Sequence, residues 1–271
     1  MTWTEQVRLN DRVALVTGAS EGIGEAVAAL LARAGASVVL TSRSAERAEA
    51  AAQRVLASLS DSGEGVGAAG AGSVSAEHAA ARGDVVGLAC DVRSYEHCSE
   101  LVAEIERRFG RLDIVVNNAG LGVFKPVQEM SVDEWLLQVE TNLNGVFFTT
   151  KACLPLLQRA GAGGEGDAWL INVGSLASRN TFGSGAGYNA SKFGLLGMTE
   201  AMMLDLRHEG IRTSILMPGS VNTGFGGHDE DRQWTLQPDD IARAVLQLIA
   251  YPTNALVSRV EMRPSRPPKK G

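Results

Sequence analysis

Aromatic side chains are scarce in this chain of 271 residues, at 5 %. With 45 % hydrophobic residues and 31 glycines, that shortage points to closely packed helices on a sheet rather than to a β-sandwich. Cysteine is scarce too. Cys90, Cys98 and Cys153 form an odd set without metal-ligand spacing, which argues against a disulfide framework or a metal site and for a reducing cytoplasmic compartment. Positive charge is in deficit, 25 basic against 31 acidic residues for a net charge of −6. That balance speaks against a nucleic-acid partner. The short basic run Arg263, Arg266, Lys269 and Lys270 lies among prolines and reads as a solvated tail. No apolar run reaches the length of a membrane span. Met1–Arg12 is polar and mixed in charge, unlike a signal peptide. The expectation is a soluble cytoplasmic protein with no membrane and no metal.

What the chain does have is alternation. Apolar, β-rich runs at Val13–Thr17, Ser37–Thr41, Val85–Cys90, Ile114–Val116, Leu170–Val173 and Ile211–Met217 read as strands, with Leu256–Glu261 as a last, edge strand. Helical spacing occupies Ile23–Ala34, Ala45–Leu59, Glu96–Phe109, Val132–Leu157, Gly187–His208 and Pro238–Ala250. Strands alternating with helices predict an α/β fold, one Rossmann-type doubly wound parallel sheet of about seven strands with helices on both faces. The length fits a single domain over 1–271. Ser60–Gly83 breaks the rhythm. It is rich in Gly, Ala and Ser and has almost no large apolar residue, too little to offset its ordering entropy. It reads as a flexible surface insertion, and Gly161–Gly166 as a second glycine-rich turn.

The first strand runs into Thr17-Gly18-Ala19-Ser20-Glu21-Gly22-Ile23-Gly24. Gly18 permits a tight turn, Gly22 a close approach of backbone to a phosphate, and Gly24 a helix lying close on the sheet. A pyrophosphate would sit at the helix N-terminus, where free N–H groups and the helix dipole favour an anion. The spacing is G-x3-G-x-G rather than G-x-G-x-x-G. At the end of the second strand, an acid would bind both ribose hydroxyls and repel a 2′-phosphate. Here Ser42 and Arg43 stand instead. A hydroxyl followed by a guanidinium suits a 2′-phosphate, so NADP is favoured and NAD stays possible. Glu21 offers no second basic contact.

Together with Asn117-Asn118-Ala119-Gly120 and Tyr188-Asn189-Ala190-Ser191-Lys192, the glycine turn resembles the short-chain dehydrogenase/reductase family from Val13 to about Val260. The resemblance implies a cofactor site made of Gly18, Ser20, Glu21, Gly22, Ile23 and Gly24, with Ser42 and Arg43. It places Asp91 and Val92 at the adenine, and Asn118, Ala119 and Gly120 in a turn that supports the sheet beside the cofactor. Pro218, Gly219, Val221 and Thr223 would hold the nicotinamide carboxamide. Asn142, Ser175, Tyr188 and Lys192 match the family's catalytic tetrad, with Tyr188 and Lys192 also touching the cofactor. In that scheme Asn142 holds a water that relays protons to Lys192. Homodimers or homotetramers through the helices near Val132–Leu157 and Gly187–His208 are implied as well.

The residues support the chemistry. Tyr188 and Lys192 are four apart, hence on one helix face. A nearby ammonium would lower the phenol's pKa towards working pH, so that Tyr188 serves as acid or base. Ser175 ends a strand at the sheet's carboxyl edge, thirteen residues before Tyr188, and can donate to an oxygen gaining charge. Ser178 has the wrong spacing, and Asn144 is expected to point elsewhere. Asp205, His208 and Glu209 read as a solvated helix face. Leu121, Gly122, Val123, Leu176, Phe182 and Ser220, with the loop Asn222–Trp234, are expected to line the substrate pocket.

The main reading is an NADP-dependent oxidoreductase interconverting a ketone or aldehyde and an alcohol. A 3-oxoacyl-carrier-protein reductase and a hydroxy-acid dehydrogenase stay open. Val257–Pro264 lacks the Asp-Gly-Gly turn of many reductases of the former kind and resembles the 3-hydroxy acid dehydrogenase-like branch. A dinucleotide-sensing regulator on the same fold would have no need of Ser175, Tyr188 and Lys192 together.

Overall fold

A computed structural model describes residues 7–61, 83–162, 168–225 and 233–268. Most of the Ser60–Gly83 insertion and of the Gly161–Gly166 turn lies outside them. Seven parallel strands form one sheet: β1 (Val13–Val16), β2 (Ser37–Ser42), β3 (Val85–Ala89), β4 (Ile114–Asn117), β5 (Ala168–Val173), β6 (Ile211–Pro218) and β7 (Arg259–Met262). Their order is β3-β2-β1-β4-β5-β6-β7. The chain winds outward from β1 to β3, returns to the centre at β4, and winds out the other way. β7 begins at Arg259 rather than Leu256 and pairs Arg259–Met262 with Ile215–Pro218.

Strand residues alternate between two cores, as a two-residue repeat requires. Ala14 and Val16 join Val38, Leu40, Ile114, Val116 and Ile171 beneath helices α1 (Gly22–Arg33), α2 (Ala45–Asp61) and α7 (Pro238–Ala250). Val13 and Leu15 join Val39, Val115 and Leu170 beneath α3 (Tyr95–Phe109) and α5 (Gly145–Gly161). On that second face α6 (Ala186–Leu206) packs on β6, and Leu195 of α6 meets Ile215 and Met217. Helix α2 runs through Asp61, two residues into the expected insertion. It presses so closely on β3 that a Cβ at Gly87 would come within 2.3 Å of the Ala48 backbone.

The expected single helix over Val132–Leu157 is not continuous. Helix α4 (Val132–Val139) passes into a five-residue π-helical turn, Glu140–Asn144, and only then into α5. A π turn inserts one residue into the helical register, so the two halves present different faces to the protein. Asn142 lies in the middle of it.

At the amino end of the sheet, Asp113 ties two central strands together. Its carboxylate is fully buried and accepts from Val13 N at 2.9 Å, Arg12 Nη1 at 2.8 Å and Arg111 Nη2 at 2.6 Å. Charge-assisted bonds of this kind are worth more than neutral ones. Asp113→Asn is expected to lower stability by about 2 kcal/mol, a fall in Tm of roughly 5 °C, with the fold retained. An unchanged melting curve would show that these contacts carry no weight.

Candidate active site

Where β1 and β4 lie side by side, the chain leaves them in opposite directions. The loops beyond their carboxyl ends part there, and such a switch point is where open α/β sheets bind ligands. A cleft of about 920 Å³ runs across these loops. Its rim is laced together by two turns. Thr17 Oγ1 accepts from the N–H groups of Asn118 and Ala119, both at 3.1 Å. Asn118 Nδ2 donates to the Thr17 and Gly18 carbonyls at 3.0 and 2.9 Å.

This lacing is why the glycines are needed. Gly18 has φ +61°, and a Cβ there would stand 2.6 Å from Ala119 Cα. A Cβ at Gly24 would meet Asn118 Nδ2 at 2.6 Å. Gly22, also at φ +61°, faces Thr223 across the cleft, with room of only 3.2 Å between a Cβ and Thr223 Cγ2. Glu21, the N-cap of α1, makes no side-chain cap bond, so the helix's first N–H groups lack a capping side chain where Ser20, Gly22 and Ile23 line the cleft. A bare helix N-terminus over glycines fits a pyrophosphate.

The end of the cleft over β2 and β3 is charged. Ser42, Arg43, Asp91 and Val92 line it as expected, and so do Arg47 and Arg93, which the sequence reading missed. Arg47 begins the turn of α2 after Arg43 and reaches Glu21 at 3.1 Å. A second guanidinium therefore stands at this end with Arg43, from α2 rather than from the glycine turn. Arg93 grips Asp91 with Nε at 2.9 Å and Nη2 at 2.5 Å. Those bonds, chiefly, hold the Asp91 carboxyl below its usual range.

The opposite end, over β4, β5 and β6, gathers Gly120, Leu121, Ser175, Leu176, Tyr188, Lys192, Pro218, Gly219, Val221 and Thr223 in one wall. Lys192 is buried and its Nζ donates to the Val173 carbonyl at 2.9 Å. Burial lowers its pKa to about 8. Tyr188 is buried too. Burial pushes its phenol above the ordinary value, and the hydrogen bond with Ser175 pulls the other way. The expected lowering by Lys192 does not govern this site. The ammonium stands 5.8 Å from the Tyr188 ring centre, and desolvation of the phenolate prevails.

Asn142 does not line the cleft. It is fully buried behind the wall. Its Oδ1 accepts from Leu121 N at 2.8 Å, and its Nδ2 donates to Leu121 O at 2.8 Å and to Ser191 Oγ at 3.0 Å. The side chain thus binds protein groups on both of its polar atoms. It fixes the turn after β4 against α6 one residue before Lys192. A Cβ at Gly120 would lie 3.2 Å from Asn142 Oδ1 and 3.7 Å from Lys192 Nζ, which places both side chains against that turn.

Other expected residues fall outside. Gly122 and Val123 do not line the cleft. Val123 N donates to Gln138 Oε1 at 3.0 Å. Trp234 borders a separate depression with Arg243, Met262 and Arg263. Residues 226–232 of the expected pocket loop are not among those described. Ser178 is buried, Asn144 is exposed, and so are Asp205, His208 and Glu209. Phe225, within the expected loop Asn222–Trp234, lines the wall as expected, whereas the aromatic wall residue Phe124 went unrecognised. Its nearness to the Asn117–Gly120 turn was the available signal.

Fold and cleft define a Rossmann-type oxidoreductase. The family model described as short chain dehydrogenase matches residues 12–68 and 65–234, and the chain belongs to that family. An uncharacterized oxidoreductase of Staphylococcus aureus is 31 % identical over 258 residues, covering 94 % of this chain and 98 % of the relative. One from Staphylococcus saprophyticus is 31 % identical over 262 residues, covering 95 % and 99 %. Among solved structures, an alcohol dehydrogenase of Thermococcus sibiricus complexed with 5-hydroxy-NADP superposes with a TM-score of 0.79 at 31 % identity, covering 96 % of this chain and 99 % of that one. A metagenomic short-chain oxidoreductase in complex with NADP gives 0.75 at 31 % identity and the same coverage.

Lys192 makes a pH prediction. Below about pH 8 the folded protein holds a buried ammonium at a cost. Between about 8 and the ordinary value of 10.5 the folded form is neutral while the unfolded chain still binds the proton, so stability rises with pH. Against Lys192→Met, the wild type should gain on the order of 3 kcal/mol across that window, read from urea unfolding at pH 7.5 and 10. A pH-independent difference would contradict the buried, shifted amine.

Proposed function

We propose that this protein is an NADP-dependent oxidoreductase that interconverts a carbonyl compound and its alcohol, with Tyr188 as the acid or base. The observation that carries this reading is that Ser175, Tyr188 and Lys192 open into the same cleft as the glycine-lined helix N-terminus. Bound along that cleft, a nicotinamide dinucleotide supplies the hydride for reduction or accepts it in oxidation. Gly18, Ser20, Gly22 and Ile23 cradle its pyrophosphate, and Asn118, Ala119, Gly120, Pro218, Gly219, Val221 and Thr223 form the wall of its nicotinamide half.

Reduction adds a hydride and its electron pair to the carbonyl carbon and a proton to the oxygen. Tyr188 Oη gives that proton, and takes it back in oxidation. Ser175 Oγ, bonded to Tyr188, directs the carbonyl oxygen and stabilises the charge it gains. Lys192, buried one helical turn from Tyr188 with its proton loosened by burial, replenishes the proton. Asn142 is a positioning residue, since it holds the Gly120–Leu121 turn and the Ser191 position next to Lys192. Burial of Tyr188 excludes competing water.

For the cofactor's second phosphate, the supporting features are Arg43 and Arg47 on the wall beside Ser42, with no acid at the end of β2. Asp91 is engaged by Arg93. The homo-oligomer expected from the family resemblance remains part of the reading, through exposed Phe147 of α5 and Phe193 and Leu204 of α6.

Tyr188→Phe should leave NADPH binding intact while turnover falls about a hundredfold or more, the scale of general acid–base catalysis. Near-normal turnover would remove Tyr188 from the chemistry. Arg43→Ala should raise the Kd for NADPH about tenfold, the loss of one charged hydrogen bond, and change that for NADH little. Equal effects on the two would remove the preference for NADP.

A further inference from the structure

We propose that the substrate half of this cleft accepts neutral carbonyl compounds bearing an aromatic or bulky apolar substituent and rejects those bearing a carboxylate. The proposal rests on the oxidoreductase reading and specifies its substrate.

Three phenylalanines from three separate loops converge on the Tyr188 ring. The ring centres of Phe124, Phe225 and Phe182 lie 5.4, 5.8 and 6.5 Å from that of Tyr188. Phe124 also contacts Phe182 at 5.7 Å and Phe225 at 6.4 Å, in tilted and edge-on geometries. Such contacts are attractive between rings beyond the area they bury. In a chain with seven Phe, three at one site is a marked concentration. All three keep between 39 and 47 % of their surface open while lining the cleft.

Two of the rings have prepared seats. A Cβ at Gly122 would strike the Phe124 ring at 2.6 Å, and one at Gly185 would strike the Phe182 ring at 2.6 Å. The outer edge of each ring therefore abuts a backbone that has no side chain at that point. Ordered apolar walls of this kind offer a substrate ring area to bury and neighbours to stack on.

Charge points the same way. Among the described lining residues, Glu21, Arg43, Arg47, Asp91 and Arg93 are charged but stand over β1, β2 and β3. Successive strands lie about 4.8 Å apart, so this group is well removed from Tyr188. At the Tyr188 end the one cation among the described lining residues is Lys192, whose Nζ is held by Val173 O. Among the described residues, the basic ones flanking the aromatic loops do not line the cleft. Lys125 pairs with Glu134, and Arg179 with Glu261 at 2.7 Å. The polar groups left on the substrate wall, Asn180, Thr181, Ser220 and Asn222, are neutral. Among the described residues, a carboxylate brought in here would lose water and find no cation but the buried Lys192, already bonded to Val173 O, which is costly. That separates the neutral carbonyl reading from the hydroxy-acid one.

The test uses matched ligands in the complex with NADPH, where a hydroxy compound binds without reacting. Methyl 2-hydroxy-2-phenylacetate, its free acid and methyl 2-hydroxypropanoate differ only in charge or in the ring. Calorimetry with and without NADPH should give the aromatic ester a Kd at least about tenfold below that of the acid and of the small ester. Phe124→Ala and Phe182→Ala, both at partly open positions, should weaken the aromatic ester and leave the small ester unchanged. Turnover of the three corresponding 2-oxo compounds is measured alongside. Equal or tighter binding of the acid, equal binding of the small ester, or no binding of the aromatic ester overturns the proposal. Preferential binding of the aromatic ester without turnover of any 2-oxo compound upholds the pocket chemistry and contradicts the oxidoreductase reading instead.

Discussion

A chain of buried amides and hydroxyls beneath the cleft holds its chemical half together. Asn117 Nδ2 in β4 donates to Asn172 Oδ1 in β5 at 2.9 Å and to Thr150 Oγ1 in α5 at 3.1 Å. Asn172 Nδ2 continues to Thr199 Oγ1 in α6 at 2.9 Å. Two strands and the two helices that cover them are thus joined across one polar line inside an apolar core. Buried polar groups without partners are expensive, so each member penalises any shift of its neighbours. Strand β4 delivers the Asn118–Gly120 turn, β5 delivers Ser175, and α6 delivers Tyr188 and Lys192. Their mutual placement depends on that line.

The π-helical turn at Glu140–Asn144 adds a second constraint. By shifting register between α4 and α5 it brings Asn142 inward, where its amide clamps Leu121 and Ser191. Lys192 therefore stands beside a rigid turn rather than on a loose helix face. The electrostatic consequence is a pair of buried groups shifted in opposite directions, a lysine more willing to give up its proton and a tyrosine less so. Groups displaced in this way from their ordinary range cluster at functional sites. The aromatic rings around Tyr188 are part of the same device, because they create the burial that shifts it.

Much of the fold was legible because it is written in local patterns. Six of the seven strands and most helix bounds follow from apolar runs and from glycine punctuation such as Gly18 and Gly110, the latter closing α3 in the left-handed conformation. Ser175, Tyr188 and Lys192 were readable from spacing and resemblance, and the structure brings them to one wall. What escaped depends on contacts between distant segments. The π turn leaves the hydrophobic pattern of Val132–Leu157 nearly intact, and an asparagine in a helix was the one local clue. Phe124 belongs to a loop whose neighbours are set only by folding. Arg47 becomes a cleft residue because α2 starts beside the glycine turn. The Tyr188 shift follows from burial, which a four-residue spacing does not encode.

The central claim is that hydride passes to a carbonyl carbon at the Tyr188 end of the cleft. The direct measurement is reduction of methyl 2-oxo-2-phenylacetate with NADPH carrying deuterium on one or the other face of nicotinamide C4, followed by NMR of the alcohol. The account predicts deuterium at the carbinol carbon from one of the two labelled forms and none from the other. Alcohol formed without deuterium from either would contradict it.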